Sequence, residues 1–168
     1  ASGVIPWDKS QGASGAKKHI KPAYQDEAHA PRRAAKDKLK LKSYCLGDLS
    51  STDVKEYLKY SDTILVPKAS LEQHGAHLPL FCDSITADEV ARRAGRKAGI
   101  LYTPTLWMGY SPQHLKAPGE GTGTITLRVD TFLNLLYDIR RSLIHHGFRR
   151  LVFVNGNGSN VKVVDPVL

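Results

Sequence analysis

Between Ser70 and Asp83 the chain reads SLEQHGAHLPLFCD, a short run holding two carboxylates and two imidazoles. In an extended segment, residues two apart project from one face, so Glu72 and His74 can meet one cation. Gly75 lets the chain reverse and bring Asp83 near. Carboxylate oxygen with imidazole nitrogen suits zinc first, and also manganese or iron. A carboxylate paired with histidine is also a common salt bridge, so the neighbouring loops have to decide. Two of them are equally polar: GYSPQH at 109–114 and NGNGSN at 155–160.

A divalent ion at His74 and Asp83, with or without Glu72, would lower the pKa of bound water and polarise a substrate carbonyl. A proton must then leave the attacking water and reach the leaving group. His114 is the first candidate for that work, and His77 the second. His77 has an alternative role in orienting a metal ligand. Trp107, Tyr110 and Ser111 are candidate pocket residues, although Trp107 and Tyr110 read equally well as packing groups. His145 and His146 precede Gly147 at a helix end, where they answer the helix dipole. Gly156 and Gly158 lack the Lys-Ser/Thr of a phosphate-binding loop.

These residues need elements to hold them. Ser51 or Thr52 caps a short helix with Val54, Tyr57 and Leu58 at helical spacing, and Thr63 to Val66 reads as a buried strand. Ser84 or Thr86 opens a second helix, with Ala87, Val90, Ala91 and Ala94 on its apolar face. Ile100 to Leu106 is the next strand. Asp130 caps a third helix, striped by Phe132, Leu135, Leu136, Ile139 and Leu143 and ending near Gly147. Leu151 to Val154 closes the series as a buried strand. Strands that are apolar runs, alternating with helices, predict a largely parallel sheet covered by helices. Ligands then bind beyond the carboxyl ends of the strands, after Val66, Leu106 and Val154.

Four motifs now carry a resemblance. LEQHGAHLPLFCD is similar to the E-x-H-G-x-H-L-P-L-x-x-D signature of the creatininase (creatinine amidohydrolase) family, and GYSPQH to its G-x-S-x-x-H segment. PGEGTGTITL resembles a lengthened P-G-T-I-S-L, and GFRRLVFVNGNGSN resembles G-F-x-x-I-x-x-V-N-G-H-G-G-N. They stand in the family's order. The resemblance implies a three-layer α/β fold, assembly into hexamers and a centre of two divalent ions. By position, Glu72 would bind one ion and His74 the other, Asp83 would bridge them, and His114 would lie near substrate or metal. It also implies a metal-dependent hydrolase acting on a small, cyclic amide, lactone or related carbonyl compound. The alternatives are a peptide-processing enzyme and a non-catalytic structural or regulatory subunit.

Two departures bear on that expectation. Asn157 stands where the family motif has a metal-binding histidine, and an amide oxygen is a weak neutral donor beside imidazole. Either Asn157 ligates weakly, or it is the turn residue of Gly156-Asn157-Gly158 and leaves a site for one ion. The chain also stops soon after Asn160, where the family continues with more strands and another metal-binding glutamate. The expectation is an incomplete domain, completed by a second chain from the same precursor.

Composition bounds the rest. The 168 residues are 41% hydrophobic and 24% charged, enough for one domain with a core. The net charge of +8 is uneven: residues 1–42 hold ten Lys/Arg against four Asp/Glu. Residues 1–47 therefore read as a basic arm, broken by Pro6, Pro22 and Pro31, that clasps a subunit or stays solvated, and residues 48–168 as the hydrolase part. Binding of nucleic acid through the arm is the minor alternative. No run suits a membrane span. Cys45 and Cys82 form no C-x-x-C pair, which fits a reducing, cytoplasmic setting.

Overall fold

The computed structural model describes Leu39 and residues 41–164. Most of the basic arm therefore lies outside the described residues. Its last part does not wrap the outside: Leu39, Leu41, Tyr44 and Leu46 pack against the core. Cys45 forms a parallel bridge with Tyr102, so the sheet takes in this stretch.

Helix α1, Ser51–Leu58, is capped by Ser50, one residue earlier than expected. Ser50 accepts from the Asp53 N–H at 3.2 Å and Asp53 accepts from the Ser50 N–H at 2.8 Å, which satisfies two orphan donors at once. Strand β1, Thr63–Lys68, follows. Helix α2 is Cys82–Ala98, strand β2 Leu101–Tyr102, helix α3 Val129–His145, strand β3 Arg150–Asn155 and helix α4 Gly158–Val164.

The sheet order is β2-β1-β3 and both pairings are parallel, with Ile64 opposite Leu101 and Val66 opposite Phe153. Alternation along β1 sorts its side chains onto two layers. Ile64 and Val66 join Tyr57 of α1 and Leu143 of α3 in one cluster. Leu65 joins Ala91 of α2 and Tyr102 in another. Helices thus cover both faces, the three-layer α/β arrangement with a parallel sheet.

Several boundaries differ from the sequence reading. Helix α2 begins at Cys82 rather than at Ser84 or Thr86, which puts Asp83 in a helical first turn instead of a loop. Its buried stripe is Ser84, Ala87, Ala91 and Gly95, whereas Val90 is half exposed. The expected strand from Ile100 to Leu106 shortens to two residues. Pro67 has no N–H to give, so the ladder between β1 and β2 is interrupted after the Thr103 N–H, which donates to Leu65 O, and resumes only at the Leu106 N–H, which donates to Pro67 O. Helix α3 is preceded by Arg128, with Asp130 inside its first turn rather than at its cap. Strand β3 is not buried throughout: Val152 is 47% exposed on the outer strand of the described sheet.

Candidate metal centre

The segment after β1 is clamped before it reaches its chemistry. Ala69 and Ser70 are fully buried. Leu71 bridges Ile125, the Glu72 N–H donates to Leu80 O at 3.2 Å, and the Gln73 N–H donates to Thr124 Oγ1 at 3.0 Å. Ser84 Oγ donates to Ser70 O at 3.1 Å and ties the start of α2 to the same segment. Gly75 turns the chain with φ 76°. Glu72, His74 and Asp83 are thereby gathered, with one potential ligand atom of each lying within 4.8 Å of the others.

His74 is oriented at both ring nitrogens. Nδ1 lies 2.9 Å from the Glu72 carbonyl oxygen and can only donate there, so the Nε2 edge faces Asp83 Oδ1 at 3.0 Å. A backbone carbonyl holding Nδ1–H while Nε2 is presented is how a ligating histidine is commonly set. The same carbonyl, then the Asp83 charge, raises the His74 pKa above its ordinary value against the opposing effect of burial.

His114 joins the group from the loop after β2. Gln73 Oε1 accepts from the Gly75 N–H at 3.0 Å, which turns the Gln73 amide nitrogen toward His114 Nδ1, also at 3.0 Å. With Nδ1 accepting, the ring hydrogen sits on Nε2, 3.5 Å from Glu72 Oε1. Gly121 holds the His114 backbone at close quarters, since a Cβ there would lie 2.1 Å from the His114 carbonyl oxygen.

Asn157 reaches the centre from the turn between β3 and α4 and is 4% exposed. Its amide nitrogen donates to Glu72 Oε2 at 2.7 Å and to Asp83 Oδ2 at 2.9 Å. Hydrogens, not the oxygen lone pairs, therefore meet the carboxylates. The other expected residues take no part in these contacts. His77 is exposed and has no hydrogen bond or ion pair among the described residues. Trp107 is 38% exposed, and Tyr110 packs beside Phe132 and Leu136. Ser111 is fully buried with its hydroxyl 2.6 Å from Ser70 Oγ, which leaves it no surface for a ligand.

Sequence reasoning passed over Gln73 and understated Asn160. Gln73 is an uncharged residue between two chemically louder neighbours, and nothing in its spacing signals that it orients a histidine 41 positions away. Asn160 is fully buried and joins Ala69, Tyr110 and Asn155.

The donor set is one that a divalent ion accepts: two carboxylates, an imidazole edge presented by a backbone bond, and partial exclusion of water. Residues 47–168 match the family profile of creatinine amidohydrolase. The chain belongs to the creatininase family. It is 34% identical over 121 residues to the creatinine amidohydrolase of Pseudomonas putida, covering 71% of this chain and 46% of that protein. Over 126 residues it is 34% identical to the mycofactocin precursor peptide peptidase of Mycobacterium tuberculosis, with 69% and 48% covered. A third family relative, the 3-dehydro-scyllo-inosose hydrolase of Thermotoga maritima, is 28% identical over 111 residues, with 66% and 34% covered.

The crystal structure of a creatinine amidohydrolase superposes with a TM-score of 0.67 at 32% identity, over 76% of this chain and 52% of that one. A manganese form of creatininase gives 0.67 at 32% identity, over 74% and 49% of the two chains. The zinc–zinc form of a creatininase mutant gives 0.66 at 30% identity, over 76% and 52%. The creatininase-family chain described here thus spans about half the length of the relatives it matches. Among the described residues, no helix is long and apolar enough to cross a membrane.

Proposed function

We propose that this chain carries the metal-binding part of a hydrolase that opens or cleaves a small, cyclic amide, lactone or related carbonyl compound. One observation carries the reading: Glu72, His74 and Asp83 converge on one point beside His114, in a chain of the creatininase family. Zinc or manganese is the expected ion, as in the relatives' structures. When bound, such an ion supplies a lowered pKa for water and polarisation of a carbonyl oxygen.

The chain's own residues do the rest. Glu72, His74 and Asp83 hold the ion. His114, kept by Gln73 with its hydrogen on Nε2, donates a hydrogen bond to the leaving nitrogen or oxygen, and the proton released by the attacking water is the one that this leaving atom takes up. Trp107 and Tyr110 contact the substrate. A peptide-processing role is the second reading, favoured by the 34% identity to a precursor peptide peptidase, which equals that to the creatinine amidohydrolase. The proposal includes a cytoplasmic setting, in which Cys45 and Cys82 stay free, and an oligomer in which residues 1–42 of the basic arm act in assembly.

The test is turnover of zinc- or manganese-loaded protein against small cyclic amides, lactones and short peptides, with metal content measured alongside. His74→Ala and Asp83→Ala should each lose bound metal and turnover. His114→Ala should keep the metal and lose roughly 10²- to 10⁴-fold in rate. Unchanged metal content in both ligand variants refutes the assigned centre.

A further inference from the structure

The Asn157 amide spends all of its hydrogen-bonding capacity inside the protein. Its oxygen accepts from the Ser159 N–H at 2.8 Å and the Asn160 N–H at 3.2 Å, which caps the start of α4. Its two hydrogens go to Glu72 Oε2 and Asp83 Oδ2. Turning the amide over would set its oxygen against two carboxylate oxygens and its NH₂ against two N–H donors. All four attractive contacts would become repulsive, so the two ends of the amide agree on one orientation. At 4% exposure, water has little room to repair the reversed arrangement.

Two carboxylates aimed at one point repel each other unless something positive lies between them, and a cation is the usual occupant. Here that place is taken by the partial positive charge of an amide, and the backbone of α4 holds the amide there. On the opposite side, Asp83 Oδ1 and His74 Nε2 face each other with no amide between them.

We propose that the Asn157 amide substitutes for one cation between Glu72 and Asp83, so that the centre holds a single divalent ion, which Asn157 does not ligate. The inference deepens the metal-dependent reading given above and concerns the same site. Asn157 is a positioning residue here: it neutralises and spaces the carboxylates that the ion and the substrate meet.

The experiment is a titration of chelator-stripped full-chain protein with Zn²⁺, counting tight sites, on wild type, Asn157→His and Asn157→Asp. The aspartate variant keeps an oxygen for the Ser159 and Asn160 N–H groups, so it guards against loss of the cap in the histidine variant. Wild type should bind one ion, and each variant one more than wild type. Metal-free Asn157→Asp should also melt below wild type, because three carboxylates then converge, and Zn²⁺ or Mn²⁺ should raise its Tm more than that of wild type. Two tight ions on wild type, or no added ion in either variant, overturn the inference. No ion on wild type with one gained in the variants would refute the metal-dependent function while leaving the role of Asn157 standing.

Discussion

Replacing Asn160 should damage the centre from behind. This side chain is fully buried in the first turn of α4 and joins the ends of three segments. Its oxygen accepts from the Tyr110 N–H at 2.9 Å, and its nitrogen donates to Ala69 O at 3.0 Å and, more weakly, to Asn155 Oδ1 at 3.4 Å. Asn160→Ala leaves the buried Ala69 carbonyl and the part-buried Tyr110 N–H without partners. Each such group costs about 1–3 kcal/mol, so the loss should total roughly 2–4 kcal/mol, given the better access of water to Tyr110. Urea unfolding monitored by circular dichroism reads this as a midpoint lowered by about 1 M or more, for slopes of about 1–3 kcal/mol/M. Asn134→Ala, on an exposed position of α3, is the control and should stay within about 0.5 kcal/mol of wild type.

Asn160→Asp separates hydrogen bonding from packing. Its carboxylate would keep the Tyr110 contact but set an oxygen against Ala69 O and Asn155 Oδ1. Burial among acceptors raises the folded-state pKa of that carboxyl above its unfolded value of about 3.9. A raised folded pKa means that the folded state binds the proton more tightly. The deficit of Asn160→Asp against wild type is therefore largest at neutral pH and shrinks as pH falls through the folded pKa toward the unfolded one. A midpoint for Asn160→Ala no lower than that of Asn134→Ala, or a deficit of Asn160→Asp that does not change with pH, would refute the reasoning.

Gly156→Ala should loosen the metal centre, because the added Cβ would lie 2.6 Å from the Asp83 carbonyl oxygen and 2.9 Å from Ala87 Cβ, prising α2 away from β3; weaker Zn²⁺ binding by calorimetry checks this. Thr103→Val should be neutral or stabilise by up to about 1 kcal/mol in thermal melts, because Thr103 Oγ1 is buried with no hydrogen-bond partner among the described residues. Arg92 and Arg93 hold the Glu89 carboxyl down to about 2, from an ordinary 4.5. Any stability from that pair is present above pH 4.5 and is lost as pH falls toward 2; Glu89→Gln should flatten this part of the pH–stability curve by a small amount, since the pair is solvent-exposed.

Much of the scaffold was legible along the chain because its signals are local. Apolar runs between helical stripes announced a parallel sheet, and β1 and α3 formed where those patterns lie. The polar loops after the strands announced the centre, since a parallel sheet sends all those loops to one end. Glu72 and His74 could be paired from their spacing alone. What no local pattern contains is the identity of a group's partner. Pro67 shortens β2 only because its missing N–H falls on the side of β1 that faces β2, and the exposed Val152 lies on an outer strand of the described sheet.

Asn157 shows the limit most sharply. From sequence it was a weak ligand or a turn residue, two readings that an amide permits because it carries an acceptor at one end and a donor at the other. The structure gives the acceptor to the cap of α4 and leaves the donor facing Glu72 and Asp83, 85 and 74 positions away. Sequence determined that an amide stands at this position. Which end of it meets the carboxylates was decided only when folding brought the start of α4, the loop after β1 and the first turn of α2 to a single point, because hydrogen bonds with direction are satisfied in space and not along the chain.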